Sequence, residues 1–255
     1  MNKLFWLGLI ICVLPISVQA EEEIRYYDVE IILFENLDRS ARDSEYWPSS
    51  VELVRDDKTV SLGERFTGTL PEGVDPALAF KLLPAKSLQL TKQAEKIEAS
   101  DSRRVLLHTA WRQPGLSEED AMTVYFKKMI PGVPPGASGT QATGAANTTA
   151  TPQSPYVTPE AGEIEALIRV YLSRYLHVTT DIIFVPQPAN QSADPLMFET
   201  STPDVQQPVT YRQHQTRRRM RSRELHYLDN PVLGLLIFIT PYENQTNTGK
   251  SAPKN

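Results

Sequence analysis

The sequence predicts an α+β protein with one mainly antiparallel sheet of about six strands, one or two helices and a long disordered insertion. Three observations carry this prediction. Apolar residues recur at every second position in several runs of strand length, and short turns separate most of these runs. One stretch shows apolar residues at helical spacing. A long segment consists mainly of Pro, Gly, Ala, Thr and Ser.

The chain begins with the three parts of a secretory signal peptide. Lys3 precedes an apolar run over residues 4–18, and the small side chains of Val18 and Ala20 favour cleavage after Ala20. The run of about 15 residues is shorter than the roughly 20 that span a membrane, so an uncleaved signal anchor is the less favoured alternative. Isoleucines before Cys12 disfavour lipidation, and cleavage then leaves a mature chain without cysteine, as is ordinary for a bacterial periplasmic protein. We therefore expect a periplasmic protein that has no membrane span after cleavage.

Two strands and one helix are predicted before the insertion. Residues 24–34 and 104–112 alternate apolar and polar side chains, as half-buried strands do. Residues 36–84 contain several prolines and glycines and are expected to form loops and short elements. Residues 88–99 place apolar side chains at helical spacing among lysines and glutamates, which predicts an amphipathic helix.

Four strands are predicted after the insertion. Residues 163–173 and 176–185 both alternate and flank a short turn, which favours a hairpin, although a helix over residues 163–173 is an alternative. Residues 210–224 form the third of these strands. Residues 233–240 are almost entirely apolar, which is typical of a strand in the middle of a sheet.

We expect one α+β domain over residues 21–243, with residues 131–160 as a flexible insertion and residues 244–255 as a disordered tail. The insertion has no charged residue before Glu160 and few large apolar side chains. It therefore buries too little surface to offset a backbone entropy of about 1 to 2 kcal/mol per residue. Two domains are the alternative, but two strands and one helix would bury little by themselves.

No catalytic or metal-binding motif is recognisable in the chain. The four histidines have no metal-ligand spacing, and neither a phosphate-binding loop nor a nucleophile elbow occurs. Two acidic pairs that glycan cleavage could use, Glu118 with Asp120 and Glu163 with Glu165, are interpreted more simply as helix-start or solvent-face charges. The net charge of −5 disfavours nucleic acid as a ligand. We therefore expect a non-enzymatic protein with neither a metal nor a cofactor.

The most concentrated charge lies in residues 211–224, which contain six arginines in an otherwise acidic chain. A strand would place four of them on one face at a spacing of roughly 6.6 Å. These four are Arg217, Arg219, Arg221 and Arg223. Guanidinium groups bind carboxylates and phosphates through paired hydrogen bonds, which favours an anionic ligand. The alternatives are a structural face that pairs with Glu163 and Glu165, and a helix over residues 216–227 that would scatter the arginines.

Four blocks of the sequence together match a known family pattern. Their residues are Tyr27, Val29, Glu30, Ile32 and Phe34; Leu107, His108 and 110–114; 174–178; and 219–222, 224–229, Pro231, Leu233 and Gly234. In this combination the blocks resemble the CsiV family, whose members are described as envelope proteins that bind peptidoglycan and support its synthesis. The insertion departs from the family pattern but touches none of the blocks.

The resemblance implies a periplasmic protein of a Gram-negative cell with peptidoglycan as its ligand. It also implies two protein partners, a penicillin-binding protein synthase and its lipoprotein activator. It carries over no binding residue, so the arginine assignment depends on the sequence pattern alone. Trp111 and Tyr211 are further ligand candidates because aromatic faces can lie against sugar rings. Trp111 is also a core candidate, since it shares a predicted strand face with Val105 and Leu107.

The sequence thus leads to a hypothesis and two alternatives. The hypothesis is a non-enzymatic periplasmic protein that binds peptidoglycan and supports or regulates cell-wall synthesis. The first alternative is an adaptor that binds proteins of the wall-synthesis machinery without contacting glycan. The second is a wall hydrolase with an unrecognised site.

Overall fold

The computed structural model describes residues 24–38, 40, 44–48, 51–64, 66, 68–130, 156–157, 162–186 and 209–243. The strands are β1 Tyr26–Asn36, β2 Leu53–Val54, β3 Thr59–Ser61, β4 Lys81–Leu82, β5 Arg103–Pro114, β6 Thr123–Met129, β7 Tyr156–Val157, β8 Glu163–Leu172, β9 Leu176–Val185, β10 Tyr211–Met220, β11 Leu225–Asp229 and β12 Leu233–Tyr242. A short 3-10 helix at Ala85–Ser87 precedes the α-helix α1, Thr91–Glu98. The predicted signal peptide, most of the predicted insertion and the predicted tail lie outside the described residues.

Ten of the twelve described strands form two five-stranded sheets, and β2 and β7 form a separate two-stranded sheet, whereas the sequence predicts a single sheet. The first sheet has the order β11-β12-β1-β5-β4, and the second has the order β10-β9-β8-β6-β3. All strand pairs in these two sheets are antiparallel except β3 with β6. The α+β class with mainly antiparallel pairing is therefore confirmed, and the number of sheets is corrected. Alternation along a strand shows which side chains are buried, but it does not show which sheet the strand joins.

The main hydrophobic core lies between the two five-stranded sheets. Val29 and Ile31 of β1 and Ile164 and Ile168 of β8 are fully buried there, and they belong to one cluster of contacting side chains. Every second residue of a strand points to the same face, so the apolar residues that alternate along the sequence line the inner face of each sheet. Strand β12 lies between β11 and β1, as its apolar sequence predicts.

A bulge in β5 changes the predicted faces of this strand. Leu107 is opposite Leu33, whereas Val105 is opposite Phe34, so Leu106 is the extra residue. Val105 consequently packs with the cluster on the outer face of the first sheet, and Leu107 packs against the main core. The predicted shared face of Val105 and Leu107 is wrong, because one extra residue reverses the alternation.

Helix α1 covers part of the outer face of the first sheet. Leu90 and Ile97 pack there against Ile32 of β1, which confirms the amphipathic helix that the sequence predicts. No side chain at the helix start caps it. Instead, the Glu30 carboxylate of β1 accepts hydrogen bonds of 2.8 Å from the backbone N–H groups of Gln89 and Leu90. A carboxylate of the sheet thus fixes the backbone just before the helix and holds the start of the helix against β1.

The sequence analysis did not predict two of the longer strands, β6 and β11. Strand β6 combines an apolar half with two lysines, Lys127 and Lys128, and β11 has a single buried side chain, Leu228. Such short patterns do not distinguish a strand from a loop. Strand β7 falls within the predicted insertion and pairs with β2.

Candidate functional site

The outer face of the second sheet carries a cluster of arginine and aromatic side chains. Arg219 of β10 is opposite His177 of β9, and the next pair along the strands is Met220 with Leu176. Met220 and Leu176 are buried in the core between the sheets, so Arg219 and His177 point to the outer face. We call this cluster the arginine surface. It comprises Arg169, Tyr171, Arg174, Tyr175, His177, Arg217 and Arg219.

Tyr175 contacts two guanidinium groups of the arginine surface. The Cζ atom of Arg219 lies 4.7 Å from the centroid of the Tyr175 ring, and that of Arg174 lies 5.7 Å from it. These distances are within the range of cation–π attraction. The Tyr175 side chain is 39% exposed, so the ring and its two arginines are accessible from solvent.

Tyr171 forms the buried base of the arginine surface. Its ring stacks on His177 with a centroid separation of 5.0 Å and an interplanar angle of 15°. The guanidinium groups of Arg169 and Arg217 each lie 5.9 Å from the Tyr171 ring centroid. Burial, together with the positive charges of Arg217 and Arg219, lowers the pKa of His177. The imidazole is therefore neutral over a wider pH range than an exposed histidine, and the positive charge of the surface comes from arginine.

The positive charge of the arginine surface is only partly balanced. Among the described residues, no carboxylate forms an ion pair with the exposed Arg174 or Arg219. Arg217 approaches the Glu118 carboxylate at 3.5 Å, and Arg169 donates a hydrogen bond to the backbone carbonyl of Glu118. Exposed ion pairs contribute only about 0 to 1 kcal/mol each, so fold stability gives little reason to gather these arginines.

The predicted row of four arginines on one strand face is wrong beyond Arg219. Strand β10 ends at the next residue, and Arg221 and Arg223 lie in the turn to β11. Arg223 has a φ of 62°, a left-handed conformation outside the β region. Arg221 pairs with Glu224 at 3.3 Å, and Arg223 pairs with Glu243 at 3.2 Å. The turn therefore separates these two arginines from the strand face that carries Arg219.

Trp111 and Tyr211, the two aromatic ligand candidates, are buried. Trp111 has no exposed surface, and its Nε1 donates a hydrogen bond of 2.8 Å to Oε1 of Gln113. Tyr211 is 6% exposed and packs edge-on against Trp47, with a centroid distance of 5.1 Å. Stacking on a sugar requires an open ring face, which neither side chain offers. Burial removes both from the ligand hypothesis and confirms Trp111 as a core residue.

Glu163 and Glu165 are not the partners of Arg217 and Arg219 on β10. Both lie on β8 and face Lys127 of β6, whose Nζ is 2.7 Å from Glu163 and 3.4 Å from Glu165. Strand β9 separates β8 from β10, which keeps these carboxylates away from the arginines. The helix alternative over residues 216–227 is wrong as well, because β10 and β11 occupy most of this range.

Glu165 provides a test of the pH dependence of stability. Burial, reinforced by the nearby Glu163 carboxylate and opposed by Lys127, raises the pKa of Glu165 above its ordinary value near 4.5. The folded state therefore holds the Glu165 proton more tightly than the unfolded state, and this residue lowers stability as the pH rises through and above 4.5. We expect the stability of Glu165→Gln relative to the parent to increase as the pH rises from about 4.5 into the neutral range. Unfolding midpoints measured across this range check the prediction, and parallel profiles for the two proteins would contradict it.

Sequence reasoning found Arg217 and Arg219 but missed the residues beside them. Arg174, Tyr175 and His177 belong to a block that carries the family resemblance, yet nothing in their spacing places them next to β10. Strand pairing alone does so. Within the described part of the chain, no three potential metal ligands come together, and no helix has the length and apolarity to cross a membrane.

Comparison with known proteins agrees with the resemblance seen in the sequence. No curated protein and no solved structure matches the chain. A family model described as "Peptidoglycan-binding protein, CsiV" matches residues 3–242, a range that includes every described strand and helix. This description names a binding protein and no enzymatic activity, and its ligand indicates a location in the cell envelope. The chain belongs to the CsiV family of peptidoglycan-binding proteins.

Proposed function

We propose that this protein binds peptidoglycan through the arginine surface and thereby supports cell-wall synthesis in the periplasm of a Gram-negative cell. The observation that carries the proposal is the exposed pair Arg174 and Arg219, which share the Tyr175 ring and have no acidic partner among the described residues. In a chain with a net charge of −5, this local excess of positive charge is available to an external anion.

The chemistry of the arginine surface fits the peptide part of peptidoglycan. The short peptides of the wall carry carboxylates, and a guanidinium group binds a carboxylate through two parallel, charge-assisted hydrogen bonds. Contact with Tyr175 limits the motion of the Arg174 and Arg219 side chains before a ligand arrives. This restriction reduces the conformational entropy that binding would otherwise cost.

The double substitution Arg217→Gln with Arg219→Gln tests this assignment. We expect retention on purified sacculi to weaken by about tenfold or more, because a hydrogen bond to a charged group contributes about 1.5 to 3 kcal/mol. The loss should grow as the salt concentration is lowered, since screening then masks less of the charge interaction. The unfolding midpoint should change little, because both side chains are exposed and the only ion pair lost among the described residues is the weak one between Arg217 and Glu118.

The matched control is Arg221→Gln with Arg223→Gln, which removes the same amount of charge from the adjacent turn. We expect this variant to bind sacculi as the parent does, because Arg221 and Arg223 already pair with Glu224 and Glu243. Equal losses in the two double variants would show that overall charge is responsible and not the arginine surface. Undiminished binding by the Arg217 and Arg219 variant would exclude the assignment directly.

A protein-binding adaptor is the second candidate, because exposed guanidinium groups also fit an acidic patch on a protein. The partners that the family resemblance implies are a penicillin-binding protein synthase and its lipoprotein activator. Retention on sacculi stripped of protein supports direct binding to the wall, whereas retention that requires an added partner supports the adaptor. Release of soluble muropeptides from the sacculi would support the hydrolase alternative instead.

A further inference from the structure

A pocket of about 370 Å³ opens on the outer face of the first sheet. Tyr227 and Asp229 of β11, Gly234 of β12, Phe34 of β1 and Arg103 of β5 line it. None of these residues belongs to the arginine surface, which lies on the second sheet. Small-molecule sites occupy about 300 to 1,000 Å³, so the pocket has room for one ring of a ligand rather than for a large molecule.

The floor of the pocket is a pair of stacked aromatic rings. Phe34 and Tyr227 lie nearly parallel, with an interplanar angle of 5° and a centroid distance of 6.1 Å. Phe34 is buried, whereas Tyr227 is 49% exposed. Gly234 is opposite Phe34, and a Cβ atom at this position would lie 2.3 Å from the Phe34 ring. The glycine therefore lets Phe34 lie over the β12 backbone, where it supports Tyr227 as an open aromatic platform.

The rim of the pocket carries one acidic and one basic group. Asp229 lies two residues after Tyr227 on the same face of β11 and is exposed. Burial, the negative charge of Asp229 and a hydrogen bond between the two side chains raise the pKa of Tyr227, so the Tyr227 hydroxyl group faces the Asp229 carboxylate. The Arg103 guanidinium lies 5.7 Å from the Phe34 ring centroid and is exposed to solvent.

The turn beside the rim is held in place by asparagine side chains. Oδ1 of Asn230 accepts backbone N–H groups of Val232 and Leu233, at 2.8 and 2.6 Å. Nδ2 of Asn36 donates to the carbonyl of Pro231 at 3.2 Å. These hydrogen bonds preform the wall of the pocket, so a ligand need not order it.

We propose that this pocket binds one uncharged sugar residue of a glycan, with the apolar face of the sugar ring against Tyr227. Asp229 accepts hydrogen bonds from sugar hydroxyl groups, and Arg103 donates to a hydroxyl or amide oxygen. A compact anion would meet the Asp229 carboxylate on the rim. A purely apolar ligand would desolvate both charged groups without replacing their hydrogen bonds.

This proposal goes beyond the arginine surface and does not depend on it. Peptidoglycan consists of sugar rings and peptide carboxylates, and the two candidate sites would recognise these different parts. The pocket can therefore be tested with a glycan that contains no peptide and no carboxylate.

The experiment is an NMR titration of the mature protein with a soluble oligosaccharide of β-linked N-acetylglucosamine. We expect the signals of Tyr227, Asp229 and Arg103 to shift, and we expect Tyr227→Ala to bind about tenfold more weakly because it removes the aromatic platform. Asp229→Asn should weaken binding as well. Tyr46→Ala, which removes a tyrosine that is 94% exposed elsewhere, is the matched control and should bind as the parent does. The Arg217 and Arg219 double variant should also retain its affinity for the oligosaccharide.

The outcomes separate the pocket from the proposed function. No binding of the oligosaccharide, or equal binding by Tyr227→Ala and the parent, overturns the pocket. If unfolding measurements show that Tyr227→Ala does not fold, Asp229→Asn serves in its place. Binding of the oligosaccharide by Asp229→Asn as strongly as by the parent then overturns the proposal for the pocket. If the protein is retained on sacculi but does not bind the oligosaccharide, the sugar-binding role of the pocket is excluded and the proposed function stands. If the protein binds the oligosaccharide but its retention on sacculi does not depend on Arg219, the role of the arginine surface is excluded and the pocket stands.

Discussion

Replacement of Trp111 by alanine is expected to lower the free energy of unfolding by about 3 to 5 kcal/mol, the usual cost of removing a large buried aromatic side chain. Trp111 has no exposed surface and packs in the core between the two sheets. Its Nε1 also orients Gln113, whose Nε2 donates a hydrogen bond of 3.0 Å to the carbonyl of Val170 in the second sheet. The substitution would therefore leave a cavity and a buried amide oxygen without its donor.

Trp111→Phe is the variant that separates stability from binding. It retains an aromatic ring in the core but removes the indole donor, so we expect a smaller loss of about 1 to 3 kcal/mol. Chemical denaturation measures both costs. Under conditions in which it is folded, Trp111→Phe should bind sacculi as the parent does, because the side chain at position 111 is buried in the core. A variant with an unchanged midpoint but weaker retention would restore Trp111 to the ligand site.

Substitution of Glu30 by alanine is expected to cost about 3 kcal/mol or more, because a buried network loses its charged acceptor. Glu30 is 4% exposed. Its carboxylate accepts the N–H groups of Gln89 and Leu90 before helix α1 and lies 2.7 Å from Nε2 of His108. Alanine leaves these three groups without the acceptor, and the Leu90 N–H group among them is buried.

Glu98→Ala is the matched control for Glu30→Ala. The Glu98 carboxylate also accepts a backbone N–H, that of Val105 at 2.7 Å, but its side chain is exposed. Water can replace this acceptor, so we expect a cost below about 1 kcal/mol. Unfolding midpoints of the two variants check the comparison, and similar costs would mean that Glu30 does not hold the helix against the sheet.

The two proposed binding sites lie on the outer faces of different sheets and differ in chemistry. The arginine surface combines guanidinium groups with Tyr175 and suits peptide carboxylates. The pocket at Tyr227 combines an aromatic platform with Asp229 and Arg103 and suits a sugar ring. A protein that holds both parts of peptidoglycan would distinguish the wall polymer from a free peptide or a free glycan.

The sequence by itself determined the long alternating strands, the amphipathic helix and the family. Residues 24–34, 163–173 and 176–185 alternate strongly, and all three became strands because the period of two is a property of the strand alone. Residues 88–99 contain the amphipathic helix, because their apolar side chains recur at a period near 3.6, which is a property of the helix itself. The concentration of arginines before residue 224 and the blocks that resemble the CsiV family are likewise features of the sequence alone.

Only the tertiary structure decided which elements stand next to each other. The division into two sheets, the bulge at Leu106 and the burial of Trp111 follow from pairings between distant strands, and local alternation is compatible with many such pairings. The same holds for the candidate site. The end of β10 separates Arg221 from Arg219, and pairing with β9 puts Tyr175 beside Arg219. Spacing along the chain identifies side chains with the right chemistry, but the long-range register of the strands determines which of them can contact one ligand.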